Sequence, residues 1–318
     1  MQTREEIEVS WAEDSLTSNG YEIQGQPKIV RTMLWSRVTS FETSKGRVYL
    51  KSMALPFSKE PLLLQFLADH EVKNITKVIA VSEQLSCFLM KDAGEPLRNL
   101  LKENFKADLL INALKTCASI QIKCIDYVDQ LLRLGINDWR LEKLPFLYQD
   151  LVQKEDMLKA DGLTSSEIEI LYQSASKMHA LCKQLSEYDI QETLEHGDFQ
   201  DNNMLIDGDS LTLSDWGDAS ISHPFFSLAS ALNSAKRNHH FQDDDPRYIS
   251  AQNAYLNQWR EYGTETELLE AFKLAQIIRH FVFALNLSRV KSLPHIDNVP
   301  KLDGYLANSL RDFIKSIS

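Results

Sequence analysis

The chain has 318 residues, 43% of them apolar and 25% charged, with a formal net charge of −11. That is enough chain to bury a real core, in one large domain or two lobes, and the balance is ordinary for a globular protein. The acidic surplus argues against nucleic acid as a partner and would suit a cationic small molecule. The four cysteines, Cys87, Cys117, Cys124 and Cys182, form no C-x-x-C pair and read as the thiols of a reduced, cytoplasmic protein. No membrane span is expected. The most apolar helix, Ile277 to Leu287, is too short and carries Arg279 and His280, and the charged N-terminus lacks the apolar core of a signal peptide.

In chain order, residues 1–27 read as an N-terminal extension with one short helix ending near Asn19-Gly20. From Lys28 to Met53 the pattern is strand-like. Ser44-Lys45-Gly46 makes a turn and Arg47-Val48-Tyr49-Leu50-Lys51 returns, so a hairpin ends on a lysine. Ser58-Lys59-Glu60-Pro61 opens a helix, with Glu60 in its first turn beside a proline. Val78 to Val81 and Cys87 to Met90 complete a five-stranded antiparallel sheet. Lys91 to Pro96 is rich in turn residues, and there the apolar period changes from two to 3.6. The spacing therefore predicts a small lobe over 1–92, a hinge, and a helical lobe over 93–318. Helices are expected at about 107–132, 144–158, 246–262, 265–290 and 302–316, with another from Thr164 to Leu185 begun by the capping box Thr164-Ser165-Ser166-Glu167. Cys117 and Cys124, seven apart, would share a helix face as small core residues. Asp138-Trp139-Arg140 reads as a turn with an aromatic anchor, or else a wall of an acceptor pocket. Asn238-His239-His240 with Asp243-Asp244-Asp245 reads as a solvated loop, because no helical histidine pair is present. Glu261, Glu265, Glu267 and Glu270 read as a solvated helix face, or else as carboxylates that bind an ammonium group of the acceptor.

The densest stretch is EHGDFQDNNMLIDGDSLTLSDWGD, from Glu195 to Asp218. Two short apolar runs, Met204 to Ile206 and Leu211 to Leu213, flank the turn cluster Asp207-Gly208-Asp209-Ser210, which predicts a small hairpin. A hairpin brings its ends together, so Asn203 and Asp215 are expected side by side. Two oxygen ligands there suit Mg²⁺, which takes few protein ligands and keeps positions for phosphate and water. Asp198, five residues before Asn203, can accept a proton from a hydroxyl aimed at a metal-bound phosphate.

His196-Gly197-Asp198, Asn203 and Asp215-Trp216 fall at the spacing of the protein-kinase pattern H-R-D-x-x-x-x-N followed by D-F-G. Gly197 stands in place of the arginine and Trp216 in place of the phenylalanine. That variant resembles the aminoglycoside phosphotransferase family and its relatives among choline, homoserine, methylthioribose and fructosamine kinases. The resemblance implies a two-lobed, protein-kinase-like α+β fold, with a small N-terminal antiparallel sheet lobe and a large, mainly helical C-terminal lobe carrying the catalytic loop 195–218. It implies a Mg²⁺-dependent transfer of the γ-phosphoryl group of ATP or GTP to a hydroxyl of a small molecule. By the same match Asp198 would be the base, and Asn203 and Asp215 the metal ligands. Lys51 would hold the phosphates with Glu60 as its partner, and Met90, Lys91 and Ala93 would meet the adenine at the hinge. The segment LLRLGINDWRLEKLP resembles a bacterial subgroup of these enzymes. Three departures stand out. Leu34-Trp35-Ser36-Arg37 has no glycine, so phosphate contacts there would fall to backbone N–H groups, the Ser36 hydroxyl or Arg37. Ser227 replaces an aspartate that ties the catalytic loop down, and Gln200 replaces a histidine. The alternative reading is a kinase-like protein that binds nucleotide or ligand but transfers poorly.

Overall fold

In the computed structural model, which describes residues 2–293 and 302–318, the chain divides into two compact units. The first comprises Met1–Glu95 and Leu205–Gly217, and the second Pro96–Met204 and Asp218–Ser318.

The first unit opens with helix α1 (Arg4–Ser18), whose N-terminus is a capping box between Thr3 and Glu6 and whose C-cap is Asn19, where the sequence places its end. Strands β1 (Lys28–Thr32), β2 (Ser36–Phe41) and β3 (Val48–Met53) follow, then helix α2 (Glu60–Asp69), β4 (Val78–Ser82) and β5 (Cys87–Lys91). The sheet has the order β1-β2-β3-β5-β4 and is antiparallel throughout, as expected. Strand side chains alternate between faces, and this alternation sorts the unit. Val48 and Leu50 of β3, with Phe41 and Leu89, point to α1 and bury Ala12 and Leu16 against them. Lys51 points to the opposite face. Beyond a two-residue strand β6 (Glu95–Pro96), the chain leaves this unit and returns to it as a hairpin.

The second unit is mostly helical. Its helices are α3 (Leu97–Glu103), α4 (Ala107–Cys124), α5 (Val128–Leu134), α6 (Leu144–Val152), α7 (Glu155–Ala160), α8 (Ser165–Gln173), α9 (Ala175–Leu185), α10 (Phe225–His239), α11 (Pro246–Leu256), α12 (Glu265–Lys291) and α13 (Tyr305–Ile317). A small sheet of β7 (Asn137–Asp138), β11 (Ser220–Ser222) and β8 (Thr193–Glu195) sits among them, β11 running antiparallel to β8 and parallel to β7. Phe225 packs edge-on against Tyr255, Trp259 and Phe272 at the centre. Burying each such ring contributes about 1.5–3 kcal/mol before entropy is counted. The cysteines are free and buried, Cys117 and Cys124 both on α4.

Four expected helices are broken: 144–158 divides into α6 and α7, 246–262 ends at Leu256 and passes into a 3₁₀ turn over Asn257–Trp259, and the 164–185 and 107–132 helices are interrupted as well. The 164–185 helix starts at the expected capping box, but it divides at Ser174, whose hydroxyl donates to the Ile170 carbonyl at 2.7 Å. That back-bonding competes with the main-chain ladder and bends a helix. The 107–132 helix is interrupted by a 3₁₀ turn over Ile125–Tyr127. Asp138-Trp139-Arg140 is not itself the turn: Asp138 ends β7 and the turn follows at 141–143, while buried Trp139 is the aromatic anchor, its backbone N–H donating to the Ile221 carbonyl at 2.9 Å, and Arg140 pairs with Asp138.

Candidate active site

The hairpin predicted inside the central motif is present as β9 (Met204–Asp207) and β10 (Ser210–Leu213). The loop after α2 holds it. The Asn74 side chain donates to the Leu211 carbonyl at 2.8 Å, and the Leu213 N–H donates to the Asn74 carbonyl at 2.7 Å. Gly94 lies so close to β9 that a Cβ there would come within 2.0 Å of the Ile206 carbonyl oxygen. The hairpin ends at Asp215, a non-glycine residue at φ 64°. Aspartate tolerates this left-handed backbone better than most residues, at a cost of about 1 kcal/mol or more.

That conformation delivers Asp215 to Lys51. The Lys51 ammonium donates to Glu60 Oε2 at 2.6 Å and to Asp215 Oδ1 at 2.5 Å. Lys51 and Glu60 are buried, whereas the Asp215 side chain is 46% exposed. Burial works to lower the Lys51 pKa, but the Asp215 and Glu60 carboxylates overcome it and hold the ammonium well above the usual lysine range. Glu60 also accepts from the Trp216 N–H at 3.2 Å, and the buried Trp216 indole donates to the Leu213 carbonyl at 3.0 Å. A lysine, a helix-start glutamate and a hairpin-end aspartate thus form one compact triad.

Strand register places the other expected nucleotide contacts. Ser36 pairs with Met53, Val38 with Lys51, and Tyr49 with Met90, so Ser36, Lys51 and Met90 share one sheet face. Arg37 lies on the other face. Its guanidinium pairs with Glu5 at 3.0 Å and with buried Glu8 of α1, and Glu8 also accepts from Ser52. The phosphate role open to Arg37 in the sequence is therefore taken by a structural one. After β5, Lys91 and Asp92 direct their N–H groups to the Lys77 and Arg47 carbonyls, so neither N–H is a spare donor.

In the second unit the loop after β8 is built around Gly197. At φ 82° it sits where a Cβ would come within 2.2 Å of the Asp218 carbonyl oxygen, so the arginine of the protein-kinase pattern has no room here. Asp198 follows, half-buried and gripped by neutral amides. Gln200 Nε2 donates to both carboxylate oxygens at 2.8 Å, and Asn203 Nδ2 donates to Oδ2 at 3.0 Å and to the Asp198 carbonyl at 2.8 Å. Gln200 is oriented in turn by Arg98, whose Nη2 donates to Gln200 Oε1 at 2.6 Å.

Ser227 does supply an anchor in place of the expected aspartate. Its hydroxyl donates to Glu195 Oε1 at 2.8 Å and accepts from the His196 N–H at 3.3 Å. Burial pushes Glu195 up to about 7. Sequence reasoning missed Asp201, a buried hub that takes Arg98 at 2.9 Å, Ser234 at 2.8 Å and His239 at 2.7 Å. Burial opposes ionisation of Asp201, but these partners hold its pKa below the usual range. His239 therefore closes α10 as a buried partner of Asp201, not as part of a solvated loop.

Both halves of the motif now have a stated geometry. A sequence match to the APH phosphotransferase enzyme family spans residues 48–268. The chain belongs to this family. No curated protein sequence matches it. The family fold recurs in solved structures of small-molecule kinases. A choline kinase from Cryptosporidium parvum is 12% identical, with 97% of this chain and 95% of that one covered at a TM-score of 0.65. A Plasmodium vivax ethanolamine kinase is 13% identical, with 98% and 88% covered at 0.65. An amicoumacin kinase solved with AMP-PNP and Ca²⁺ is 13% identical, with 98% and 96% covered at 0.58. At such identities the likeness establishes the protein-kinase-like fold. Membership of the phosphotransferase family supports phosphoryl transfer to a small molecule as the class of activity.

Proposed function

We propose that this phosphotransferase moves the γ-phosphoryl group of ATP or GTP to a hydroxyl of a small molecule, with Asp198 as the base. The observation that carries this reading is the amide grip on Asp198. Gln200 and Asn203 fix the carboxylate plane with neutral donors, and no cation pairs with it among the described residues. A carboxylate held this way keeps its direction and its capacity to accept a proton from a hydroxyl. Lys51, kept charged by Glu60 and Asp215, is the group for the donor's phosphates. Ser36 and Met90, on the same sheet face, serve the nucleotide, as does the backbone at Lys91 to Ala93.

Mg²⁺ fits the donor set. Asn203 turns its amide nitrogen to Asp198, so its oxygen is the end a metal would take. By its place in the motif, the half-exposed Asp215 carboxylate would be the second oxygen ligand. Among the described residues no three His, Cys, Asp or Glu side chains gather to hold a metal by themselves, so phosphate and water would complete the shell. When bound, Mg²⁺ would neutralise charge on the phosphates being transferred.

The test is transfer of labelled γ-phosphate from ATP and from GTP to a panel of amino alcohols, sugars, aminoglycosides and hydroxy acids, with Asp198→Asn alongside. Transfer that the variant loses supports the reading. Nucleotide binding with no transfer to any acceptor by either protein would favour the binding-module alternative. That alternative draws on the glycine-free segment before Ser36.

A further inference from the structure

Helices α10, α12 and α13 of the second unit line a cavity of about 360 Å³. Its titratable lining includes Lys236, Arg237, Arg279, His280 and Asp312. Two of these are already matched: Lys236 pairs with Asp243, and Asp312 with Lys315. Arg237 and Arg279 have no carboxylate within ion-pair distance among the described residues. Arg279 makes one hydrogen bond, to the Ser230 hydroxyl at 3.0 Å, and its guanidinium lies over the Phe283 ring at 4.9 Å. Burial and the neighbouring Arg237 charge lower its pKa to about 10, against the pull of the Asp198 and Glu195 carboxylates. It stays charged at neutral pH, and burial lowers the His280 pKa, which keeps that ring neutral there. In a chain of net charge −11, Arg237 and Arg279 face a cavity whose lining acid, Asp312, is already paired with Lys315, so the lining carries a local excess of positive charge.

Helix α12 connects this cavity to the catalytic loop. Asn286, two helical turns after Arg279 and on the same helix face, donates to the Gly197 carbonyl at 3.3 Å. Seven residues of helix rise about 10 Å, and Arg279 lies near enough to the loop for the Asp198 carboxylate to act on it. Guanidinium groups are suited to carboxylate and phosphate oxygens, which they grip through paired N–H donors.

We propose that this cavity holds an anionic group, a carboxylate or a phosphate, of the acceptor whose hydroxyl is served by Asp198. The proposal rests on the phosphotransferase reading and sets its substrate class against the cationic acceptor suggested by the acidic composition. Asn233 and Asn308, also in the lining, add neutral polar groups beside the arginines.

The experiment is calorimetric titration of the full-length protein with glycerate and with glycerol 3-phosphate, using glycerol and ethanolamine as neutral and cationic controls. Binding of AMP-PNP is measured on the same preparation. The expected result is that an anionic alcohol binds more tightly than either control. Arg279→Gln should weaken it by about tenfold or more, equivalent to about 1.4 kcal/mol, and Arg279→Lys by less. Whichever anion binds more tightly identifies the source of the charge. Arg237 is exposed, so Arg237→Gln carries the test if Arg279→Gln fails to fold. The proposal is overturned if neither anion binds, if ethanolamine binds more tightly, or if anion binding survives both glutamine variants unchanged. Loss of anion binding with AMP-PNP still bound would leave the kinase reading standing. Failure of AMP-PNP to bind as well would remove both.

Discussion

Lys51 and Asp198 are fixed in opposite ways. Lys51 is buried between two carboxylates and locked by charge. Asp198 is half-buried and locked by two side-chain amides. The difference follows from what each is assigned to do. A group that holds phosphates has to stay charged, and its flanking carboxylates ensure that. A group that is to take a proton from a hydroxyl has to be aimed, and the two amides fix its direction without an ion pair.

The sharpest way to break the comparison is Asp198→Asn, which keeps size and hydrogen bonds but removes the base. It should lower kcat by about 10²–10⁴ and leave nucleotide affinity within a few-fold, read by steady-state kinetics and direct nucleotide titration. Wild-type transfer in the variant would place the base elsewhere.

Breaking the other half should show in stability as well as activity. Lys51→Met leaves Glu60 buried without its cation, and chemical denaturation should report a loss of about 3–5 kcal/mol together with a raised nucleotide KM. Adding Glu60→Gln should restore most of the stability and none of the nucleotide affinity. A double variant no more stable than the single one would mean that charge is not what locks Lys51.

Gln200→Ala tests the amide grip itself. One donor to a charged group is worth about 1.5–3 kcal/mol, so kcat should fall about 10- to 100-fold with nucleotide KM unmoved. An equal change in both would reassign Gln200 to a structural role.

The smallest expected effect concerns Glu195, also held by neutral donors but fully buried. Its folded pKa of about 7 lies above the ordinary value of 4.5, so the folded state binds a proton that the unfolded chain releases. Stability should therefore fall as pH rises from 4.5 to 7 and level off above that, with a slope approaching about 1.4 kcal/mol per pH unit for this group. Glu195→Gln should flatten that slope in a series of denaturation curves. It should leave the part due to Glu192, which burial also raises to about 7. An unchanged slope would show that Glu195 is ionised in the folded state.

What could be read from sequence is what local pattern controls. The Lys28 to Lys91 strands, the Asn19 helix end and the Thr164 capping box all announce themselves within a few residues, and the structure places them as expected. Arg37 shows where that stops. Strand β2 carries polar residues on both faces, so alternation alone could not say which way Arg37 points. Only the pairing of Ser52 opposite it, and of Lys51 opposite Val38, separates the two. Asp201 had no local signal, because its partners come from positions 98, 234 and 239. The Ser174 break was hidden by an apolar period that continues through it.

The return of the chain to the first unit has a consequence for biosynthesis. Lys51 leaves the ribosome 164 residues before Asp215, its second carboxylate partner. Residues 205–217, which complete that unit, arrive only after most of the second unit's helices have been made. A nascent chain stalled before residue 205 therefore carries the sheet and the Lys51–Glu60 pair but lacks the hairpin. The first unit is therefore completed only at residue 217, in the middle of the second unit's synthesis.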